Sequence, residues 1–570
     1  MTIRTTGSGR SNFVAAAWRS TVGAHPKGLM TLFMTEFWER FSFYGMKAFL
    51  LFYIVHSVSE GALGLPDKTG TAILGSYGMF VYLLAIPGGF IADRFLGAWL
   101  AVLVGGVMIA MGHFSLAFHS IPFFYTGLGL ICVGTGLLKP NVSTMVGGLY
   151  GENDPRRDSG FSLFYMGINS GAFVGPLVAG YLAQGAGFKG FLAARGLDPN
   201  SSWHYGFAAA GIGMLLGLTQ YMLNSKRLAV IGRRPDKAAL VESALLPATA
   251  LGGSVRQEES IVSVVSPEPA PGDQPILVAQ SRATAQAGPT AGSGLTSVRS
   301  AGRSAAIAAS AVLVLAGLPT FAHGLWRGGA LEQIAGILMV SAGAVWGFAL
   351  SRGVLRTDDW RRVAVIAILF LFAWLFWTGY EQAATSLSLF ADRLTRNQVF
   401  NFSFPASWFQ SVQALFVIIL APVFSVIWLK LGKHEPSSPA KFAYGLFFLG
   451  LSFLLLVPAS RLSASGKVSP WWLVGVYFIQ VVGELCVSPV GLSTVTKLAH
   501  VKIVGIMMGV WFLSISLGDK MAGYLGGFFD ATRTDKLAGL FGYFGIVVLA
   551  ATLILALMVP RIRKLMGGVH

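Results

Sequence analysis

Within one apolar run the chain reads Glu36-Phe-Trp-Glu39-Arg40-Phe-Ser-Phe43-Tyr44-Gly45-Met-Lys47. On a helix Glu36, Glu39 and Arg40 stand at i, i+3 and i+4, and Phe43, Tyr44 and Lys47 continue the same side. Two carboxylates beside a guanidinium are suited to taking up and releasing a proton. Each charge in hydrocarbon costs roughly 2.5–3.5 kcal/mol, so the cluster has to face protein or a wet cavity. A helix that accepts this cost is most simply one that lines a transport path.

More polar groups lie deep in apolar runs: Lys139 in GTGLLKPNVS, Asn169 in FYMGINSG, Glu381 in FWTGYEQ, Glu484 in VVGELCVSP, and Asp519 with Lys520 after Gly518. Cations are present in the first half of the chain (Arg40, Lys47, Lys139) and anions in the second (Glu381, Glu484). Facing bundles could pair such charges when a gate closes, which offsets their desolvation. Tyr82, Tyr165, Trp377, Tyr380, Trp511 and Phe512 occupy the same runs. Trp377 and Trp511, near mid-span beside charges, are the aromatics that suggest a pocket rather than an interfacial belt.

The elements that position these groups follow from composition. The 570 residues are 54% hydrophobic and 12% charged, against roughly 25% charged in soluble domains, and mean hydropathy is +0.64. Apolar runs of about 20 residues without period-two alternation specify membrane helices and exclude a β-barrel. Six spans are expected at 29–56, 70–91, 98–118, 122–147, 159–184 and 205–223, two at 304–324 and 330–351, and six at 361–391, 405–430, 442–459, 470–496, 503–528 and 537–559. The fold class is an all-α polytopic membrane protein. Its expected parts are a tail (1–28), a six-helix bundle (29–225), a linker (226–303), two extra helices (304–352), a second six-helix bundle (353–560) and a closing tail (561–570). The linker, rich in Ala, Ser, Pro and Gly, is read as a solvated tether. Two six-span halves fit the repeat logic of secondary transporters.

The net charge of +17 does not call for nucleic acid. Arg94, Arg156, Arg157, Lys226, Arg227, Arg233, Arg234, Arg361, Arg362, Lys430, Lys433, Lys497, Arg561 and Lys564 fall mostly in alternate inter-helix segments. The positive-inside rule then places both termini in the cytoplasm of a cell inner (plasma) membrane. Cys132 and Cys486 lie in separate apolar helices and indicate no disulfide framework. The N-terminal residues lack a cleavable signal pattern, so the first span is expected to insert uncleaved. No metal-ligand spacing, cofactor motif or nucleophile–base arrangement argues for an enzyme.

The string GGFIADRFLG (88–97) resembles the short-loop signature of the major facilitator superfamily. EFWERFSFYGMKAFL (pattern ExxERFxYYG), FYMGINSGAF (FYxxINxG), GTGLLKPNVS, FWTGYEQ and GELCVSPVGLSTVTKLA, in this order from residue 36 to about 500, resemble the proton-dependent oligopeptide transporter family. The two extra helices, giving fourteen spans, resemble its bacterial members. The resemblance implies a major facilitator fold and proton-coupled import of di- and tripeptides, by a monomer with no cofactor. It implies proton coupling at Glu36, Glu39 and Arg40. It implies pocket positions at Tyr44, Lys47, Tyr82, Asn169, Trp377, Ser488, Trp511 and Phe512. Lys139 and Glu484 match a charge pair bridging the halves, with Glu484 near the peptide amino end, and Glu381 pairs with Lys47 on closure.

Some positions depart from the pattern. The usual second-motif Tyr is Phe43, and the usual Arg is Lys47, which exchanges a planar fork for a point charge. Gln413 stands where the family has a pocket Asn, in Gln410-Ser411-Val412-Gln413-Ala414. The second-helix histidine of animal members is Gly75, and His56 falls at the end of the first span as a boundary residue. The alternatives to peptide symport are a carrier of another small solute (a peptide-like drug, nitrate or an amino-acid derivative) on this scaffold, and a non-transporting peptide receptor.

Overall fold

The computed structural model describes residues 25–151, 154, 156–228, 231–232, 293–351, 357–499 and 504–567. Most of the N-terminal tail, most of the 226–303 linker and the last residues of the closing tail lie outside the described residues. The chain folds into long helices packed in two groups. The first contains α1 (Lys27–Val55), α2 (Asp67–Leu83) with its continuation α3 (Ala85–Ile91), α4 (Ala98–Leu116), α5 (Ile121–Gly148), α6 (Arg157–Gln184), the short α7 (Ala186–Ala194) and α8 (Ser202–Leu223). A helix pair follows, α9 (Ser293–Arg327) and α10 (Ala330–Ser351). The second group comprises α11 (Thr357–Tyr380), the short α12 (Ser386–Arg393), α13 (Phe409–Leu431), α14 (Ser438–Leu462), α15 (Trp471–Leu498), α16 (Val504–Gly526) and α17 (Thr534–Leu565). Among the described residues ten helical stretches are long and apolar enough to cross a membrane. This makes the chain a multi-pass membrane protein.

Two features qualify the expected all-α architecture. A two-stranded hairpin pairs Gln398–Val399 with Phe402–Ser403 after α12. The span expected as one helix over 361–391 is interrupted: α11 ends at Tyr380, a tight 3-10 turn runs over Glu381–Ala384, and α12 restarts at Ser386. The backbone groups freed at the break are taken up internally, as a membrane interior requires. Gln410 Nε2 donates to the Ala383 carbonyl at 2.7 Å, and Ser388 Oγ donates to the same carbonyl at 2.8 Å. The break falls on Glu381, one of the expected site residues.

In the first group α1 packs on α6 and α8, and α4 packs on α5 and α8; in the second α14 packs on α15 and α17. The groups meet along two seams, α2 against α16 and α6 against α13. The first seam is built on bare backbone. A Cβ on Gly75 would lie 2.8 Å from the Gly523 Cα, and one on Gly523 would lie 2.5 Å from the Thr71 carbonyl oxygen. Such an approach admits no side chain on either helix, the small-residue packing used where lipid gives no hydrophobic drive. The α9–α10 pair lies over this seam: Ile334 and Ile337 of α10 pack with Met79 of α2, Phe370 of α11, and Leu513 and Leu517 of α16.

Gly523→Leu is expected to force the seam apart. In a background lacking Cys132 and Cys486, a cysteine placed at buried Thr385, whose side chain reaches the Ala522 carbonyl at 3.2 Å, should then become reactive to a water-soluble maleimide. Unchanged protection would refute the close-packed seam.

Candidate functional site

Helical spacing alone assembles the α1 cluster. Arg40 Nε lies 2.8 Å from Glu36 Oε1 and 2.6 Å from Glu39 Oε2, and all three side chains are nearly inaccessible to solvent. Only the contact with Glu36 has hydrogen-bond geometry. Glu36 Oε2, both Glu39 oxygens and Arg40 Nη2 are buried without hydrogen-bond partners. Buried polar atoms are nearly always satisfied, so three charged groups with so many open valences form a site with room for a proton to arrive and bonds to rearrange. The Phe43 ring stands between two cations, 5.7 Å from the Arg40 guanidinium carbon and 5.9 Å from Lys47 Nζ. The missing hydroxyl thus leaves a ring that serves both cations through its face.

One turn further on, Lys47 reaches the other half of the molecule. Its Nζ donates to Glu381 Oε2 at 2.9 Å and to Asp519 Oδ1 at 3.2 Å. The expected Lys47–Glu381 pair is present. Asp519, seen in the sequence only as a deep polar group, is a second partner on α16. Tyr44 lies within electrostatic reach of Arg40, Lys47, Glu381 and Glu484.

The expected Lys139–Glu484 bridge is not formed, which corrects the sequence-based expectation. Glu484 accepts a hydrogen bond from the Tyr380 hydroxyl, and Lys139 Nζ sits 3.7 Å from the centre of the Tyr82 ring. Each charge is held by a tyrosine of its own half. Pro140, next to Lys139, cannot donate to the Gly136 carbonyl, and Gly88 of α3 packs directly over that oxygen, where a Cβ would sit at 2.1 Å. Position along the helices explains the open pair. The bonds described here that join the halves lie towards the end where α1 finishes and α2 begins, whereas Lys139 lies past the middle of α5 towards the other end and Glu484 lies at mid-helix on α15.

That closed end carries a set of contacts that sequence reasoning missed. Arg393, the last residue of α12, clasps Asp67, the first residue of α2, with one arm at 2.6 Å. His56, just past α1, lies 3.0 Å from Asp392 and 2.7 Å from Glu60. His56 is therefore a boundary residue by position and a cross-half latch by contact. The α6–α13 seam adds three bonds: Ser411 Oγ to the Phe173 carbonyl at 2.7 Å, Trp408 Nε1 to the Leu177 carbonyl at 3.1 Å, and the Ser407 N–H to Gln184 Oε1 at 3.3 Å. Their signal in the sequence was only charge and amide at helix ends.

The latch has a pH dependence of definite sign. Partial burial by itself would lower the His56 pKa, but its hydrogen bonds and charge contacts with Asp392 and Glu60 outweigh this and hold it above its ordinary value of 6.5. The raised value means that its stabilisation is fully present below the unfolded-state pKa and is lost as pH rises through the folded-state one. A cysteine at Thr385 should therefore become more reactive as pH is raised across this range, and His56→Gln should flatten the response. A pH profile identical in both proteins would exclude the latch.

The remaining expected pocket residues are placed as follows. Asn169 donates to the Tyr165 carbonyl at 3.0 Å and is largely buried. Gln413 donates to Gln480 Oε1 at 3.3 Å. Ser488 is half-buried one residue before Pro489, which lies inside α15. Trp377 packs edge-on against Tyr380 with ring centres 5.5 Å apart, and its indole N–H is buried without a partner. Trp511 sits edge-on to Phe442, ring centres 6.0 Å apart, and Phe512 packs beside the same core. Among the described residues no group of three His, Cys, Asp or Glu is arranged to hold a metal ion.

A family model described as PTR2, POT family, matches residues 99–265 and 333–542. The chain belongs to the POT family. Relatives similar along its length include an uncharacterised transporter, YclF, of Bacillus subtilis, 37% identical and covering 96% of both chains. The peptide transporter YePEPT of Yersinia enterocolitica is 36% identical, again over 96% of both chains. A di-/tripeptide transporter of Lactococcus lactis subsp. cremoris is 34% identical over 96% of this chain and 98% of its own. Among solved structures, a peptide transporter POT variant in complex with alafosfalin superposes with a TM-score of 0.70 at 36% identity, covering 95% of this chain and 96% of its own. A second POT family transporter, in complex with 5-aminolevulinic acid, gives 0.67 at 28% identity, over 94% and 97% of the two chains. The POT family consists of membrane transporters, and the chain is a transporter rather than an enzyme.

Proposed function

We propose that this POT family member is a proton-coupled symporter that imports di- and tripeptides by alternating access. The observation that carries this reading is the separation of Lys139 from Glu484. A buried cation and a buried anion, each steadied by a tyrosine, match the two ends of a zwitterion. Lys139, with Arg40 and Lys47, attracts the peptide carboxylate, and Glu484 receives the amino end. Tyr44, Tyr82, Asn169, Trp377, Gln413, Ser488, Trp511 and Phe512 hold the backbone and tolerate varied side chains. Glu36, Glu39 and Arg40 carry the coupling proton, and Glu381 closes on Lys47. Protonation that loosens Arg40 and peptide that bridges Lys139 and Glu484 both favour the occluded state, which is what coupling requires.

Fourteen spans fit the helices: six in 29–225, two in 304–352 and six in 353–560, with the 226–303 tether between the first two sets. Both termini then lie on the cytoplasmic side of the inner membrane. With the termini so placed the closed end faces outward, which supports reading the chain as an inward-facing carrier that works as a monomer. Named relatives transport peptides, which supports the substrate class. The complex of another family member with 5-aminolevulinic acid keeps an amino-acid derivative in view as a second substrate class, since Lys47 offers a point charge where a fork would select a fixed carboxylate geometry.

Purified protein in liposomes with an acidic exterior should accumulate labelled dialanine, and unlabelled di- and tripeptides should compete. Competition by 5-aminolevulinic acid without competition by peptides would transfer the assignment to the second class. Saturable binding without accumulation would make the chain a receptor.

A further inference from the structure

Asp519 is the charged group in the Lys47 junction that the coupling scheme above does not use. Lys47 donates from one ammonium to two carboxylates, Glu381 and Asp519, at 2.9 and 3.2 Å. Asp519 is 4% exposed, and its second oxygen, Oδ2, is buried without a hydrogen-bond partner. Lys47 Nζ, bonded to both acids, holds the Glu381 carboxylate beside that of Asp519. One ammonium balances only one of two ionised carboxylates, so a proton on either acid removes the uncompensated buried charge.

Neighbouring charges leave this balance in place. From α2, Tyr77 and Tyr82 face Asp519, and Lys139 of α5 is within electrostatic reach. Lys139 is already engaged with the Tyr82 ring. Lys520, the adjacent residue on α16, points away and donates to Ser76 Oγ at 2.6 Å. Space is also committed to Asp519: a Cβ on Gly78 of α2 would lie 2.4 Å from its carboxyl carbon. A buried anion with one cation shared between two acids, one orphaned oxygen and a berth cut into the facing helix is a built proton site.

We infer that Asp519 is a second proton-binding residue of the transport cycle, sharing one proton with Glu381 while Lys47 bonds both. The step is a proton transfer alone. An O–H bond forms on Asp519 Oδ2 with a proton drawn from water on one side, and it breaks when the halves part and the proton returns to water on the other. This rests on the proton-coupled reading of the carrier, and it separates one coupling proton at Glu36 and Glu39 from another at the Lys47 junction.

The test is the proton-to-peptide ratio of full-length protein in liposomes, read from the membrane potential that nulls dialanine flux at fixed gradients. Asp519→Asn keeps the shape and the acceptor for Lys47, and it should lower the ratio by one proton. Glu381→Gln should do the same, and the double variant should lose one proton in total rather than two. An unchanged ratio in Asp519→Asn overturns the inference. Should that variant fail to fold, Gly78→Ala crowds the carboxylate without altering any charge and should give the same loss; an unchanged ratio there overturns it equally. Infrared titration supplies a readout independent of substrate: the spectrum of the unmodified protein minus that of Asp519→Asn should show the carbonyl band of one buried protonated acid beyond any from Glu36 and Glu39, and a difference spectrum without that band refutes the inference. If the unmodified protein moves no protons with peptide, the symporter reading fails while the infrared band still decides the role of Asp519.

Discussion

Glu39→Gln or Glu36→Gln is expected to abolish accumulation of labelled peptide against its gradient in liposomes, reducing it to the level of protein-free vesicles. Exchange of peptide down its own gradient should persist in both. The amide keeps the size and one acceptor of the acid but cannot exchange a proton at neutral pH. Glu39 is the more sensitive of the two, because it is fully buried and neither of its oxygens has a hydrogen-bond partner. Glu36 already holds Arg40 through a formed bond. Substituting either residue fixes the number of ionic contacts available to Arg40, so the cluster no longer alternates. Full accumulation by both variants would remove the coupling role from α1.

Lys47→Met is expected to cost about 3–5 kcal/mol of stability in this closed conformation, the usual penalty for removing one member of a buried ion pair. Met approximates the shape of the side chain and removes the charge, leaving Glu381 and Asp519, both of the second group, without the cation that reaches them from α1. Thermal unfolding in detergent should occur at lower temperature, and peptide uptake should fall to background. Lys47→Arg should recover much of both, since a guanidinium can reach two carboxylates at once. Wild-type uptake by Lys47→Met would show that the junction is dispensable.

How much of this was legible in the sequence depended on the kind of feature. The α1 cluster stood out because charges in an apolar run admit few explanations, and its spacing fixed which side chains met. The Lys47–Glu381 pair was likewise reachable from the motifs. The second acid was harder to place: Asp519 and Lys520 are adjacent, and only the roughly 100° turn per residue of a helix sends one to Lys47 and the other to Ser76. The Lys139–Glu484 bridge failed because a motif carries no conformational state, and in this structure each partner is held by a tyrosine instead. The break at Glu381 had no proline to announce it. Its cause is tertiary, since Gln410 of α13 occupies the freed carbonyl. Asp67 and Arg393 stand 326 residues apart at helix ends, with no motif to signal that they meet.

The α9–α10 pair over the α2–α16 seam has a consequence for the surrounding bilayer. One of its faces packs on both halves, with Phe321 ring to ring against Phe80 at 6.5 Å, and another is turned outward, where Val312, Leu315 and Leu318 are exposed. The outer face of the α9–α10 pair is therefore the one turned to lipid, while its inner face covers Met79, Leu513 and Leu517 of the seam. In the alternating-access cycle proposed above, acyl chains need not enter or leave the covered part of the α2–α16 seam, and deformation of the bilayer falls on the α6–α13 side. Turnover should accordingly depend on acyl-chain length through one flank of the carrier only, and a version lacking the hairpin should become sensitive to membrane thickness on both.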